Sequence, residues 1–278
     1  MVLGPMAFSS SPYLGMDSGL VGVPLPMDKI SLTNLQESSA NGSCSQRCQK
    51  FVVLLSAGSF NPPTYMHLRI FELARDVLQA QGFVVIGGYM SPANDAYKKK
   101  KANSLLLLQD LLPAMHRVQL CELACKSSSF VMVDPWEAKQ NSYQRTLTVL
   151  SRIQNFLCRN LSVGKESLKV MLLCGSDLLE SFAIPGVWMQ DQVRTICEDF
   201  GIVCIRREGK DIENIISANE ILQQNKSNIF SVDEIVPNQI SSTRLRECLR
   251  KGLSIKYLTA DEVIDYIKDQ KLYTTGST

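Results

Sequence analysis

From Phe51 onward, short apolar runs alternate with longer amphipathic segments, and this alternation restricts the fold more than any other feature of the chain. The runs at 51–56, 83–87, 130–134, 170–174, 202–205 and 229–232 are mostly near-continuous in Val, Ile, Leu and Met. Strands that lack a polar alternate face are buried on both sides, as in parallel sheets. The segments 66–81, 113–126, 142–161, 191–199, 211–224, 242–251 and 260–271 space their apolar residues as helices do. The last of them follows Thr259, which reads as an N-cap with Glu262 at the capping-box position.

Strands alternating with helices predict an α/β fold, a doubly wound, mostly parallel, Rossmann-like sheet with helices on both faces. In such folds ligands lie beyond the carboxyl ends of the strands, so the strand-to-helix loops are the places to look for chemistry. The 278 residues, 45% hydrophobic and 20% charged, suit one large or two small globular domains. A net charge of +2 is too small to imply a nucleic-acid or membrane partner. No apolar run approaches the ~20 residues of a membrane span.

Residues 1–49 are rich in Ser, Gly, Pro, Met and Asn, have no sustained periodicity, and read as a flexible extension before a single domain at 50–274. They show no basic stretch followed by an apolar one, and their sole arginine is Arg47. Secretion and organellar import are therefore not expected, and the expected location is cytoplasm or nucleus. The nine cysteines are scattered and read as reduced thiols. Cys121 and Cys125 share helical spacing with Val118 and read as core, while Cys44 and Cys48 lack a second pair at zinc spacing.

The first strand runs into SAGSFNPPTYMHL, which holds one of only two histidines. Gly58 permits a tight turn and close backbone approach, and successive N–H groups before a helix start can cradle an anion. Pro62 and Pro63 stiffen the approach to a helix that starts near Thr64 or Tyr65. Thr64 and His67 are three residues apart and share the first turn, so His67 faces whatever the loop holds. An imidazole donor beside a phosphate suits phosphoryl or nucleotidyl transfer. Taken alone, a histidine at a helix start is more often a surface or capping residue, and the surrounding strand–Gly-Ser-Phe-Asn-Pro–helix context reverses that reading for His67. The loop matches neither G-x-x-x-x-G-K-[ST] nor G-x-G-x-x-G, and neither pattern occurs elsewhere in the chain.

NQISSTRLRECLRKG, at 238–252, reads as a complete helix, with caps from Ser241, Ser242 and Thr243 and a stop at Gly252. Arg244 and Arg246 in its first turn have the wrong sign for a helix N-terminus. A bound polyanion reverses that cost, with three hydroxyls and two guanidiniums as donors. The plain alternative is a surface helix with incidental arginines.

GSFNPPTYMH together with ISSTRLR resembles the nucleotidylyltransferase superfamily, with its T/H-x-x-H loop and late S-S/T-x-[KR] helix start. GGYMSPANDAYKKK, VDPWE, LLCGSDLLESFAIPGVW and DFGIVCIRREG narrow the resemblance to the eukaryotic nicotinamide mononucleotide adenylyltransferases, over roughly residues 51–273. The resemblance implies that the 5′-phosphate of nicotinamide or nicotinate mononucleotide attacks the α-phosphorus of ATP and pyrophosphate leaves, with no protein nucleophile. It implies ATP contacts from Gly58, Ser59, His67, Thr243, Arg244, Leu245 and Arg246, with Ser59, His67 and Arg244 nearest the reacting groups. It implies mononucleotide or dinucleotide contacts from Gly58, Ser59, Phe60, Lys99, Tyr143, Thr146, Gly175, Asp177, Val187, Trp188, Arg207 and Asn238. Tyr143 falls where the family stacks an aromatic on the pyridine ring, and Lys99 matches a lysine near the mononucleotide phosphate. Mg²⁺ is expected on ATP phosphates and water rather than on protein ligands. Relatives often self-associate, so a homo-oligomer is open. Trp136 reads as structural.

The chain departs from the family between the lysine cluster and His116-Arg117, where KANSLLLLQDLLPAM is about ten residues longer than the family's pattern. Three readings follow: an adenylyltransferase making NAD or its nicotinic-acid precursor; another superfamily member, such as a pantetheine-phosphate or cytidylyl transferase; or an inactive, nucleotide-binding or chaperone-like form on account of the insert at about 102–112.

Overall fold

The computed structural model describes residues 20–32, 50–96, 111–207, 209–236 and 238–273. Among them, six strands form one sheet: β1 (Lys50–Gly58), β2 (Phe83–Pro92), β3 (Val131–Val133), β4 (Leu168–Gly175), β5 (Ile202–Ile205) and β6 (Ile229–Val232). The order is β3-β2-β1-β4-β5-β6 and every pairing is parallel. The helices are α1 (Tyr65–Ala80), α2 (Ala114–Ala124), α3 (Thr146–Leu161), α4 (Ser176–Ser181), α5 (Gln190–Thr195), α6 (Ile212–Ser217), α7 (Glu220–Gln224), α8 (Ser242–Arg250) and α9 (Asp261–Asp269).

The apolar runs are continuous because both faces of the sheet are buried. Phe51, Val53, Leu55, Val170, Leu172, Ile202 and Cys204 join one core with α3 residues Val149, Leu150, Ile153 and Leu157. The alternate residues Val52, Leu54, Met171, Leu173, Val203 and Ile205 join a second core with α1 residues Phe71, Ala74 and Leu78. Each fully buried Val, Leu or Ile contributes about 1.5–3 kcal/mol, so these two layers dominate the energetics. A third cluster packs α8 and α9 against Leu120 and Ala124 of α2.

The strand order reverses direction at β1, and there the ladders part. β1 pairs with β4 only as far as Leu55↔Leu172, but stays paired with β2 through Gly58↔Pro92. Beyond Leu55 a crevice is therefore available on the β4 side of β1, at the switch point where open α/β sheets take ligands.

Several sequence expectations are corrected. The expected helix at 211–224 is two helices, because Asn219 bonds the backbone N–H groups of Ile221 and Leu222 and starts α7 afresh. The expected helix at 191–199 finishes in a π turn, Ile196–Phe200, closed by Gly201 at φ +83°. The helix expected from 142 begins at Thr146. Thr259 does not cap α9: Ala260 holds that position, and the buried Thr259 hydroxyl donates instead to Pro63 O at 2.9 Å. α4, six residues long, is too short to show a period.

Residues 20–32 also differ from the flexible extension expected over 1–49. Leu25 and Ile30 are buried in the first core, and Ser31 N–H donates to Ile86 O at 2.8 Å. Tyr89 OH donates to Pro26 O at 2.6 Å, and Arg152 Nη2 donates to Val23 O at 2.5 Å. Gly87 makes room for this strap, since a Cβ there would lie 2.4 Å from Ile30 Cδ1. A Pro-rich, aperiodic segment can pack as a strap without leaving a secondary-structure signal. Cys121 and Cys125 are buried, as is Trp136, in line with their reading as core and structure.

Candidate active site

β1 ends at Gly58, and the carbonyls of the loop that follows are drawn back into the protein one after another. Gly58 O accepts from Ala93 N–H at 2.9 Å, and Ser59 O accepts from Arg117 Nη1 at 3.1 Å. Asn61 O accepts from Arg246 Nη1 and Pro62 O from Ser242 Oγ, each at 2.7 Å, while Pro63 O takes the Thr259 hydroxyl. In a trans peptide the N–H points opposite to the carbonyl. Tying back the Gly58 and Ser59 carbonyls therefore turns the Ser59 and Phe60 amides the other way. Phe60 has φ +46°, a left-handed residue of the kind that makes successive N–H groups converge on an anion.

At the start of α1, Thr64 N–H donates to His67 Nδ1 at 3.0 Å, and Thr64 Oγ1 lies 2.8 Å from the same nitrogen. Nδ1 is thus the acceptor, and the neutral ring carries its proton on Nε2. The half-buried ring stands edge-on to Phe60, with centroids 5.3 Å apart. Burial first, and the charge of Arg207 second, lower its pKa from 6.5 to about 4. His67 is consequently a neutral N–H donor at physiological pH, both a cap and a group facing the loop.

The late segment meets the early one directly, through the Ser242–Pro62, Arg246–Asn61 and Thr259–Pro63 bonds. Tyr65 N–H adds a fourth link, to Leu258 O at 3.0 Å. The hydroxyl inventory expected of this segment is reduced. Ser241 Oγ accepts from Arg244 N–H at 3.3 Å and Ser242 Oγ is committed to Pro62, whereas Thr243 and Arg244 are exposed. The Leu245 side chain is core, which leaves its backbone for any contact. Arg246 is buried against the loop.

On the other side of β1, Gly175 closes β4 and Arg207 follows β5. Arg207 Nη1 and Asp177 Oδ2 form a short ion pair, and both side chains remain more than half exposed. Arg207 N–H donates to Ser176 Oγ at 3.3 Å. Gly175 lets the guanidinium lie close, as a Cβ there would sit 3.3 Å from Arg207 Nε. Gly58, Ser59, Phe60, His67, Thr243, Arg244, Arg246, Gly175, Asp177 and Arg207 are thereby gathered around the carboxyl ends of β1, β4 and β5.

Tyr143 and Thr146 lie at the start of α3, and Val187 and Trp188 in the turn after α4. Trp188 packs edge-on to Phe182 at 4.8 Å and its Nε1 donates to Ser181 Oγ at 2.9 Å. Leu147 and Trp188 both rest on the first core, so these residues flank the same face of the sheet. Val187 is 54% exposed. Asn238, half-buried, accepts from Ile240 N–H through Oδ1 at 2.9 Å. Lys99 and the insert as far as residue 110 lie outside the described residues; only 111 and 112 of the insert are described.

Sequence reasoning missed the buried polar group behind the loop. Arg117, 0% exposed, bonds Leu112 O, Ser59 O, Ala93 O and Asp95 Oδ1. Asn94 Nδ2 donates to Gln140 O at 2.6 Å. Burial raises the Glu137 carboxyl from 4.5 to about 8 against weaker opposing hydrogen bonds and the Arg117 charge. A signal was present: Arg117 sits in the apolar stripe of its helix, between Ala114 and Cys121, where an unpaired cation would not be tolerated. Among the described residues no three His, Cys, Asp or Glu side chains form a metal cluster, and no helix is long and apolar enough to cross a membrane.

The Cytidylyltransferase-like family pattern matches residues 55–248. A nicotinamide/nicotinic acid mononucleotide adenylyltransferase of Arabidopsis thaliana is 60% identical over 252 residues, covering 91% of this chain and 98% of its own. The protein of the same name from Oryza sativa is 61% identical over 90% of this chain and 94% of its own. The solved Plasmodium falciparum nicotinic acid mononucleotide adenylyltransferase complexed with NaAD shares the fold at TM-score 0.55 and 18% identity, over 80% of this chain and 97% of that one. The chain therefore belongs to the cytidylyltransferase-like family and, within it, to the nicotinamide/nicotinic acid mononucleotide adenylyltransferases.

Proposed function

We propose that this enzyme transfers the AMP moiety of ATP to nicotinamide or nicotinate mononucleotide, giving NAD or its deamido form and pyrophosphate. The observation that carries the reading is the junction of two distant segments, with loop 58–63 bonded to residues 242, 246 and 259 at one end of the sheet. A loop of outward amides and a helix start bearing Arg244 together suit one triphosphate.

The chemistry then needs alignment more than a protein nucleophile. The mononucleotide 5′-phosphate oxygen attacks the α-phosphorus, the bond to the bridging oxygen breaks, and pyrophosphate leaves with that electron pair. The Ser59 and Phe60 amides and the neutral His67 Nε2–H supply donors where negative charge accumulates. Arg244 meets the outer phosphates at the α8 N-terminus. Tyr143, Thr146, Val187 and Trp188 take the pyridine side, and Gly175, Asp177, Arg207 and Asn238 the nucleoside contacts. Lys99 completes the mononucleotide phosphate site in this reading. Among the described residues the site's donors are amides, hydroxyls and cations rather than carboxylate clusters, which fits a Mg²⁺ ion that would arrive on ATP and be held by phosphate oxygens and water. Bound there, the ion would neutralise charge on the departing pyrophosphate.

The test is a direct assay. Purified protein is given ATP, Mg²⁺ and, in separate reactions, nicotinamide mononucleotide, nicotinate mononucleotide and 4′-phosphopantetheine, with pyrophosphate release followed. Release with a pyridine mononucleotide is expected; release with the pantetheine substrate alone would overturn the reading.

A further inference from the structure

We infer that Arg117 is a positioning residue for nucleotidyl transfer, acting from behind the loop that faces the nucleotides; the inference rests on the functional reading above. A guanidinium buried to 0% exposure requires good reason, because its desolvation must be matched by hydrogen bonds in fixed geometry. Arg117 has four. Nε donates to Leu112 O at 2.8 Å, Nη1 to Ser59 O at 3.1 Å, and Nη2 to Ala93 O at 2.7 Å and Asp95 Oδ1 at 2.9 Å.

The acceptors come from three separate stretches: the turn after β1, the turn after β2, and the residues leading into α2. Arg117 itself rides on α2. Asp95 links the same parts a second time, since its Oδ2 accepts from Ala114 N–H at 3.0 Å in the first turn of that helix. Asn61 joins them once more, accepting from Leu112 N–H at 3.3 Å and from Tyr273 OH at 2.7 Å.

The consequence for the site lies in one peptide group. Ser59 O bonded to Nη1 fixes the plane of the Ser59–Phe60 peptide, and so the direction of the Phe60 N–H on its opposite edge. The neighbouring peptide is fixed by the Ala93 N–H bond to Gly58 O. Phe60 at φ +46° is held in a left-handed conformation that a phenylalanine does not favour, and it persists because the carbonyls on both sides are restrained. A loop free to relax would swing its amides away from the triphosphate. Lysine cannot replace this fork, because its donors radiate from one atom while the four acceptors are spread around a plane.

The experiment compares wild type with Arg117→Lys, Arg117→Ala and Asp95→Asn, at saturating ATP and pyridine mononucleotide. Rates are normalised to folded protein well below each variant's melting temperature. The expected result is a kcat reduced about 10- to 100-fold in the Arg117 variants and less in Asp95→Asn, with partial recovery of Arg117→Ala by added methylguanidine. Wild-type kcat per folded molecule in the Arg117 variants, with only a lowered melting temperature, would overturn the inference and leave Arg117 a structural residue. Should both Arg117 variants fail to fold, Asp95→Asn decides, and an unchanged kcat there overturns it. An inactive wild type overturns the functional reading and this inference together; an active wild type with indifferent variants overturns this inference alone.

Discussion

His67 carries two tasks that one substitution separates. At the third position of α1 it accepts the Thr64 N–H, as glutamine does in a capping box. His67→Gln keeps that acceptor but exchanges the imidazole Nε2–H for a shorter-reaching amide donor set at a different position, so it is expected to melt near the wild-type temperature while kcat falls about 10²–10³-fold. Comparable turnover in the two proteins would remove His67 from the chemistry. The same variant tests its protonation. The folded pKa of about 4 lies below the ordinary 6.5, so His67 contributes stability fully above pH 6.5 and loses it as pH falls toward 4. Melting curves across that window should slope less for His67→Gln than for wild type. Glu137 behaves in the opposite sense. Its carboxyl is raised from 4.5 to about 8, so its contribution is complete below 4.5 and is lost as pH rises through 8. Glu137→Gln should therefore melt higher than wild type at the alkaline end of that range and converge with it at the acid end. Parallel melting profiles for the two would refute a buried, neutral carboxyl. Histidine, as a rare residue in a strand–loop–helix context, was conspicuous in the sequence; Glu137 was not, because nothing in VDPWE distinguishes a buried carboxyl from a solvated one.

Among the elements, legibility followed packing. β5 and β6 were both read to the residue: β5 because all four of its side chains are buried between Gly201 and Arg206, and β6, an edge strand with Ser231 exposed, because Asn228 and Asp233 bound its short run. α6 and α7 were fused, because the periodicity continues across a break made by a single Asn219 cap. The strap at 20–32 was missed for a different reason. Its stability comes from contacts remote in sequence, such as Val21 N–H to Gln140 Oε1 at 2.8 Å and Lys29 Nζ to Cys125 O at 2.7 Å, and no local window shows these. The strap is nevertheless core structure, which Leu25 tests. Truncating this buried leucine in Leu25→Ala should lower unfolding free energy by about 2–5 kcal/mol. That corresponds to roughly 2–4 °C of melting temperature per kcal/mol in a domain of this size. A melting temperature equal to wild type would show that the strap is not docked in solution.

For the molecule as a whole, the decisive contacts span about two-thirds of the chain. Loop and late helix were each readable as a phosphate-facing motif, but their meeting was legible only through the family resemblance, since no local rule brings residue 62 to residue 242. The bonds that make the junction are few and specific: Ser242 to Pro62, Thr259 to Pro63, Arg246 to Asn61. Each neutral bond is worth about 1 kcal/mol to folding, too little to unfold the protein when one is removed. Its larger effect should fall on ligand binding, because the α8 N-terminus must be held at one distance from the Ser59 and Phe60 amides to grip a single triphosphate from both ends. Ser242→Ala combined with Thr259→Val loosens that distance without touching the amides or Arg244. A non-hydrolysable ATP analogue stabilises the native state by RT ln(1 + [L]/Kd), so a tenfold loss of affinity removes about 1.4 kcal/mol of that stabilisation. The analogue-induced rise in melting temperature is thus expected to shrink in the double variant and to stay whole in Leu25→Ala, which is destabilised at least as much but is remote from the junction. Equal shifts in the two proteins would mean that the early and late segments bind their ligands independently.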